Sequence, residues 1–493
     1  MLASMILFSV KTSVAQNTTF KLSDYKNPDY LYQSMDLNFG LNNSLYGFND
    51  KGNAENSYNS FSLNSQAGAV YERYLNSPKA QGDLRISFNA GIGSGTNNAK
   101  YSSNAYDEIK NKSFNHNERL DISGLHRFYN QKNNFIEVNG SIVLNNQGNN
   151  SNDKSSFAGT VIRSEERSQK YFQNGVNGTF LIGKGRIEQV QDARMALYLL
   201  DDLYKLNREK RVVSDEDVND LAQLITRLKY KRFFDDRLRK IAEITAIDSL
   251  MQQKEIISAA DATYFTSLND NWEYANNPIR DNGHRLFTGL KSYFGYTRNN
   301  AFVNKIIPED LTGEETATNK NVGLFLVLGY AYEKPASLKW QNSASIKGEI
   351  GIHQHFENKT VKNEPDSETE TKSYSESAPS MNLYGEYGFG YYPTSRTWLT
   401  FRWWVSTGWD KKMEGDTKKE KENIENDFYI YTGPQLNAYY YLSEKLRLSF
   451  SYNGSFAFNN YKYTSDIPDG LVDKATRSVW NQSVNAALTY SLF

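Results

Sequence analysis

The sequence predicts an all-β transmembrane antiparallel barrel of about fourteen strands, carrying a small α-helical insertion. Three observations lead there. Apolar and small polar residues alternate with a period of two along most of the 493 residues, the pattern of strands with one greasy and one wet face. The connections between these stretches are alternately short and long. One central stretch changes to a period near 3.6, that of a helix.

Composition closes off the other classes. Lys plus Arg is 56 and Asp plus Glu is 57, a net charge of −1, so no basic excess draws nucleic acid. A mean hydropathy of −0.68, with no apolar run of about 18 residues, excludes a bundle of membrane-spanning helices. Aromatics at 14% are too many for a disordered chain. Cysteine is absent, so disulfides, thiol catalysis and zinc-thiolate sites are excluded.

In chain order, residues 1–16 read as a signal peptide: Met1 to Val10 is mostly apolar, and Ser13, Val14 and Ala15 put small residues before a cleavage site. Residues 29–183 hold strands one to six. There Leu84, Ile86, Phe88, Ala90 and Ile92 alternate with Arg85, Ser87, Asn89 and Gly91. Residues 184–275 form the insertion, read as three amphipathic helices. Their apolar faces are Val190, Ala193, Leu197, Leu200 and Tyr204; then Val218, Leu221, Ile225 and Leu228; then Phe234, Leu238, Ile241 and Ile244. Ser214, Asp215, Glu216 and Asp217 read as the capped start of the second. Residues 283–493 hold strands seven to fourteen, such as Leu399, Phe401, Trp403 and Val405 against Thr400, Arg402, Trp404 and Ser406.

Strands of about 11 to 16 residues, against the usual 5 or 6, suit a tilted bilayer crossing. Short turns fall near 76–82, 131–134, 334–337, 393–396 and 442–445, and long polar loops at 47–57, 94–116, 147–168, 299–320, 357–379, 410–425 and 459–476. Tyr391, Tyr392, Trp398, Trp403, Tyr439, Tyr440 and Tyr441, beside the short turns, read as an interfacial girdle.

The chain ends on alternating Val484, Ala486, Leu488, Tyr490 and Leu492, with Phe493 last and on the opposite parity. This tail resembles the closing strand of Gram-negative outer-membrane β-barrel proteins. The resemblance implies an outer-membrane location, contact with outer-membrane lipid, and handling by the barrel-assembly machinery through the terminal strand. In that setting short turns and both chain ends lie in the periplasm. The insertion replaces a short turn, so it belongs on the same side.

Inward-facing rows are rich in Ser, Asn, Gly and Thr, with Arg85, Asp121, Arg127, Glu137, Lys347, Glu349, Glu386, Arg402 and Arg447 as lumen-lining charges. These either pair across a closed structural interior or line a narrow passage, and the second reading makes the chain a porin-like or substrate-selective channel for small polar or amphipathic solutes. The alternative is a closed barrel anchoring the periplasmic helices as an interaction module for envelope assembly or polymer export. Lys229, Lys231, Arg232, Arg237 and Arg239 would then dock a periplasmic protein or envelope polymer. A third reading is an outer-leaflet hydrolase using His284 with Asp281, or His126 with Asp121 and Ser123, but no catalytic motif supports it and no enzyme is expected. His353 and His355 share a strand face as polar lining; neither a metal nor a cofactor is expected.

Overall fold

The computed structural model describes residues 19–490 except 52–54, 102–106, 230–235, 276–278, 308–310, 365–368, 412, 415–421, 444–445 and 466–471. The signal-peptide region and Phe493 therefore lie outside the described residues. One antiparallel sheet dominates. Its first six strands are β1 (Tyr30–Lys51), β2 (Glu55–Ser77), β3 (Ala80–Lys100), β4 (Glu108–Tyr129), β5 (Asn134–Phe157) and β6 (Thr160–Lys184). A short β7 (Ile187–Gln189) leads into α1 (Gln191–Lys205), α2 (Asp215–Lys229), α3 (Asp236–Gln253) and α4 (Ala262–Tyr274). The sheet resumes with β8 (Asp281–Ile307), β9 (Leu311–Pro335), β10 (Trp340–Glu364), β11 (Thr369–Thr394) and β12 (Thr397–Lys411). A stub β13 (Met413–Glu414) precedes β14 (Glu422–Tyr441), β15 (Leu446–Ser465) and β16 (Val472–Tyr490).

Leaving aside β7 and β13, the strands among the described residues are hydrogen-bonded in one path of fourteen, each to its neighbours in sequence. They are longer than the sequence suggests, reaching 27 residues in β8. Most of the expected long loops are strand: the β5–β6 ladder continues through Gln147↔Tyr171 to Phe157↔Thr160, and β9–β10 through Asn358↔Thr318 to Glu364↔Thr312. The reason is that apolar alternation marks only the bilayer zone, whereas backbone pairing continues as long as two polar strands stay in register.

The register sorts side chains cleanly. One face carries Val322, Leu324, Leu326, Leu328 and Tyr330 of β9 beside Ile346, Ile350 and Ile352 of β10, all exposed. The nine residues from Val322 to Tyr330 match the roughly 9 to 11 that a strand needs to cross a bilayer. Leu328 is 60% and Phe39 81% exposed, an arrangement suited to hydrocarbon and not to water. Leu326→Arg is therefore expected to destabilise the folded protein in vesicles by about 2–4 kcal/mol. Denaturant titration checks this, and an effect near zero would contradict a lipid-facing belt.

The expected aromatic girdle is divided by the register. Tyr391, Trp403 and Tyr440 lie on the apolar face, where Trp340 packs against Tyr391 at a tilt, with centroids 4.5 Å apart. Tyr392, Trp398, Tyr439 and Tyr441 lie on the other face, Trp398 on Tyr439 at 4.0 Å. Neighbouring residues in a strand point to opposite sides, so a run of aromatics cannot all belong to one belt.

Closure differs from a seamless cylinder. Among the described residues no ladder joins β1 to β16, and both strands are largely exposed. The seam would join the two strands farthest apart in sequence.

The turns 77–80, 129–134, 335–340, 394–397 and 441–446 lie at one end of the wall, together with the start of β1, the end of β16 and the insertion; we call this the near end. Among the described residues the insertion has four helices, against the three expected. The missed α4 is rich in Thr, Asn, Ser and Asp, poor helix formers in isolation, but Asp261 caps it by accepting from Tyr264 N at 3.0 Å. Other faces also differ. α1 is buried all round from Gln191 to Leu200, while Tyr204 is exposed. In α3, Ile241 points outward and Ile247 and Met251 are buried. Phe234 lies outside the described residues. The expected α2 face, Val218, Leu221, Ile225 and Leu228, is buried.

Candidate functional site

The insertion enters and leaves the wall through two glycines. Gly185 (φ 102°) and Gly283 (φ 128°) both have left-handed backbone, and a Cβ on either would overlap a carbonyl of the facing chain. From there the helices extend across the near mouth. Tyr198 of α1 donates to Tyr392 O at 2.9 Å, and the guanidinium groups of Arg194 and Arg280 sit 5.5 and 4.8 Å from the Tyr392 ring centroid. Asp270 of α4 pairs with Arg396 in the β11–β12 turn, and Tyr274 packs on Tyr441 at 5.2 Å. On the other side, Arg186 donates to Pro78 O and Ser77 O at 3.1 and 2.9 Å, and Gln81 of β3 to Ile187 O at 3.1 Å. The insertion thus touches turns from β2–β3 round to β14.

Two buried nodes hold it together. Arg280, 1% exposed, donates to Leu338 O, Ser337 O, Trp340 O and Gln341 Oε1 at 2.5, 2.8, 2.7 and 3.2 Å. Burial, reinforced by the nearby Arg194 charge, pushes its pKa down to about 10, so it remains protonated at neutral pH. The other node joins the N-terminal segment to the helices. Tyr25 OH lies 3.1 Å from Thr226 Oγ1, Thr226 donates to Asp192 Oδ2 at 2.6 Å, and Lys229 pairs with Asp192 at 2.5 Å. Leu22, Tyr25 and Leu338 of the β9–β10 turn join the helices in one core.

The proposed docking cations are therefore not equivalent. Lys229 is half-buried, its ammonium engaged by Asp192 at 2.5 Å. Arg239 pairs with Glu243 at 2.8 Å, which also accepts from Trp272 Nε1. Lys231, Arg232 and the Arg237 side chain lie outside the described residues.

α2 begins as read from sequence. Asp217 N donates to Ser214 Oγ at 3.2 Å and Ser214 N to Asp217 Oδ2 at 2.9 Å, a reciprocal cap. Arg211 adds a bidentate pair at 2.7 and 2.9 Å. Hydrogen bonding from Arg211 holds the Asp217 carboxyl well below the usual carboxylate range. The folded value is depressed, so this stability is fully present above the ordinary Asp value of about 3.9 and is lost as pH falls through the folded value. Asp217→Asn is expected to destabilise the insertion by about 1–2 kcal/mol at pH 7, and much less at pH 2. Limited proteolysis at both pH values checks this; an equal effect would contradict it.

All nine predicted lumen charges fall on the face opposite the apolar belt. Eight are ion-paired. Arg127 pairs with its register partner Glu137, Arg85 with Glu72, Arg119 with Asp121 at 2.7 Å, Arg402 with Glu386 at 3.0 Å, and Glu349 with Lys347 and Lys291 at 2.5 and 2.8 Å. Arg447 sits 5.6 Å from the Tyr439 ring centroid. Sequence reading missed the partners Glu72, Arg119 and Lys291. Parity places a residue on a face, but only the register brings Glu72 opposite Arg85. Each pair lies within one strand or between strands at most two apart, so these charges neutralise one another along the wall instead of bridging the interior.

His353 and His355 share the inner face, His355 Nδ1 lying 2.6 Å from Asn321 Oδ1. His126 and His284 lie on the apolar face, whereas Asp121, Ser123 and Asp281 are on the inner one. The expected hydrolase groupings are thus split across the sheet.

No family model and no curated protein matches the chain. Among solved structures it is similar to the translocator domain of autotransporter NalP from Neisseria meningitidis, at 8% identity over 78% of this chain and 84% of that one, with a TM-score of 0.22. It is also similar to a mutant of the monoaromatic hydrocarbon channel TodX, at 11% identity over 95% and 91%, with a TM-score of 0.27. For the ferric citrate transporter FecA the figures are 7% identity over 93% and 71%, with a TM-score of 0.26. The chain's own long strands, outward apolar belt and inward polar face make it a β-barrel wall of the bacterial outer membrane.

Proposed function

We propose that the protein is an outer-membrane channel for small polar or amphipathic solutes, closed at its near end by the helical insertion. Pairing of β1 with β16 would complete its wall. The two edges have 22 and 19 residues, and fourteen is an even number, so their pairing would be antiparallel as everywhere else. The observation that carries the reading is the lateral pairing of the inward charges. Charges neutralised along the wall leave the axis of the interior to water, and fourteen strands fall between filled barrels of about eight and aqueous ones of about sixteen to eighteen.

The contacts of α1 and α4 with Tyr392 and Arg396 support a stopper at the near mouth. The insertion's own continuous core supports a second reading, a barrel that anchors a periplasmic interaction module. Planar-bilayer recording separates the two. A channel shows current steps once the insertion is displaced; a barrel silent with and without the insertion would sink the channel and favour the anchor.

A further inference from the structure

The outer face departs from the lateral neutralisation of the inner one. At the end of the wall away from the insertion, the apolar belt finishes at Phe172 on β6, Tyr296 on β8 and Val322 on β9. The next outward residue on each of these three neighbouring strands is a cation: Lys170, Arg298 and Lys320. Phe172 is the register partner of Arg298, and Tyr296 of Lys320. Lys170 and Arg298, and likewise Arg298 and Lys320, are therefore diagonal neighbours, about 7–8 Å apart at the backbone. All three are exposed.

No carboxylate answers this row. Among the described residues none stands opposite or diagonal to any of the three, whose partners in register are Gly148, Phe172, Tyr296, Asn300, Thr318 and Phe356. Arg298 Nε donates to Asn300 Oδ1 at 3.1 Å, a neutral acceptor that leaves the cation uncompensated. Inward Arg85, Arg127, Lys347 and Arg402, by contrast, each meet a carboxylate. Directly beside the row, Phe172 packs against Tyr296 with centroids 6.4 Å apart, and Phe294 and Val322 continue the apolar surface, both exposed.

We infer that Lys170, Arg298 and Lys320 form a docking site for the phosphate headgroup of an outer-leaflet lipid, whose acyl chains lie on the adjoining belt. With the short turns in the periplasm, this edge of the belt is at the outer leaflet. Long basic side chains lay their stems on apolar surface and carry their charge to headgroup level, where phosphate accepts charge-assisted hydrogen bonds from them. A soluble anion would match the cations alone and an uncharged lipid the belt alone; an anionic amphiphile matches both. The inference rests on the apolar face lying in lipid, and not on current flowing through the interior.

The test is native mass spectrometry of the full-length protein in a neutral detergent, titrated with dioleoyl phosphatidic acid, with dioleoylglycerol, which has the same chains but no phosphate, and with inorganic phosphate. Saturable adducts of phosphatidic acid are expected, with the other two far weaker. Joint replacement Lys170→Gln, Arg298→Gln and Lys320→Gln is expected to weaken phosphatidic acid binding about tenfold or more. Lys170→Arg with Lys320→Arg should retain it, as should Lys347→Gln, Lys359→Gln and Lys372→Gln, which remove three cations from the inner face. Equal binding of dioleoylglycerol would reduce the surface to greasy adhesion, and equal binding of inorganic phosphate to a free-anion site. Either result, an unchanged affinity in the outer Gln variant, or an equal loss in the inner one overturns the lipid site.

Discussion

Replacing residues 190–280 by Asn-Gly is expected to turn a barrel that opens rarely into one that conducts continuously. Gln189 and Asp281 are register partners, so a two-residue hairpin joins them in the geometry the ladder already has. The replacement removes every helix lying over the near mouth and frees Tyr392, Arg396 and Tyr441 from their contacts with the insertion. The carbonyls of the β9–β10 turn, left by Arg280, become accessible to water and are satisfied by it. The lateral ion pairs of the wall lie outside the excised segment and persist, so the interior keeps its lining. Long-lived current steps in planar bilayers, present in the variant and rare in the full chain, are the expected reading. Equal current in both forms would mean that the insertion does not block the lumen.

Arg280→Met is expected to loosen the joint between insertion and wall by about 3–5 kcal/mol, through the loss of charge-assisted bonds and the stranding of Leu338 O and Gln341 Oε1, while Ser337 O and Trp340 O keep backbone donors within the turn. Methionine approximates the volume of the stem but offers no donor, so the carbonyls of Ser337, Leu338 and Trp340 and the Gln341 oxygen lose their common partner. Arg280→Lys should recover only part of the loss, because a single ammonium cannot spread over four acceptors as the planar guanidinium does. The effect should be local. Protease cleavage between α1 and α4 should become much faster, while the wall keeps its resistance in detergent. Unchanged cleavage kinetics would show that Arg280 is not the pin of this joint.

The two largest expected effects thus concern a joint that the sequence does not display. Arg280 stands in the sequence beside Asp281, which invites pairing with a carboxylate, but its guanidinium goes to a turn about sixty residues further on. Tyr392 reads as a girdle residue, but one residue of parity turns it inward to meet Arg194 and Arg280. Lys229 reads as a surface cation and is half-buried in a pair with Asp192. These errors share a cause. Each side chain's role depends on a partner distant in sequence, and neither period nor local charge pattern contains that distance.

What the sequence determined by itself is everything that depends on nearest neighbours along the chain: the fourteen alternating strands, the two faces on which Arg85 and Leu84 separate, and the cap at Ser214. A strand's pleat and a helix's first turn are local, so a few residues suffice to specify them. Only the tertiary structure decided how far the ladders run, which inward charges neutralise which, that a fourth helix forms, and that the insertion lies across the mouth. Those outcomes depend on register and packing between segments tens to hundreds of residues apart, where a polar helix such as α4 gains from burial against its neighbours what its own residues do not supply.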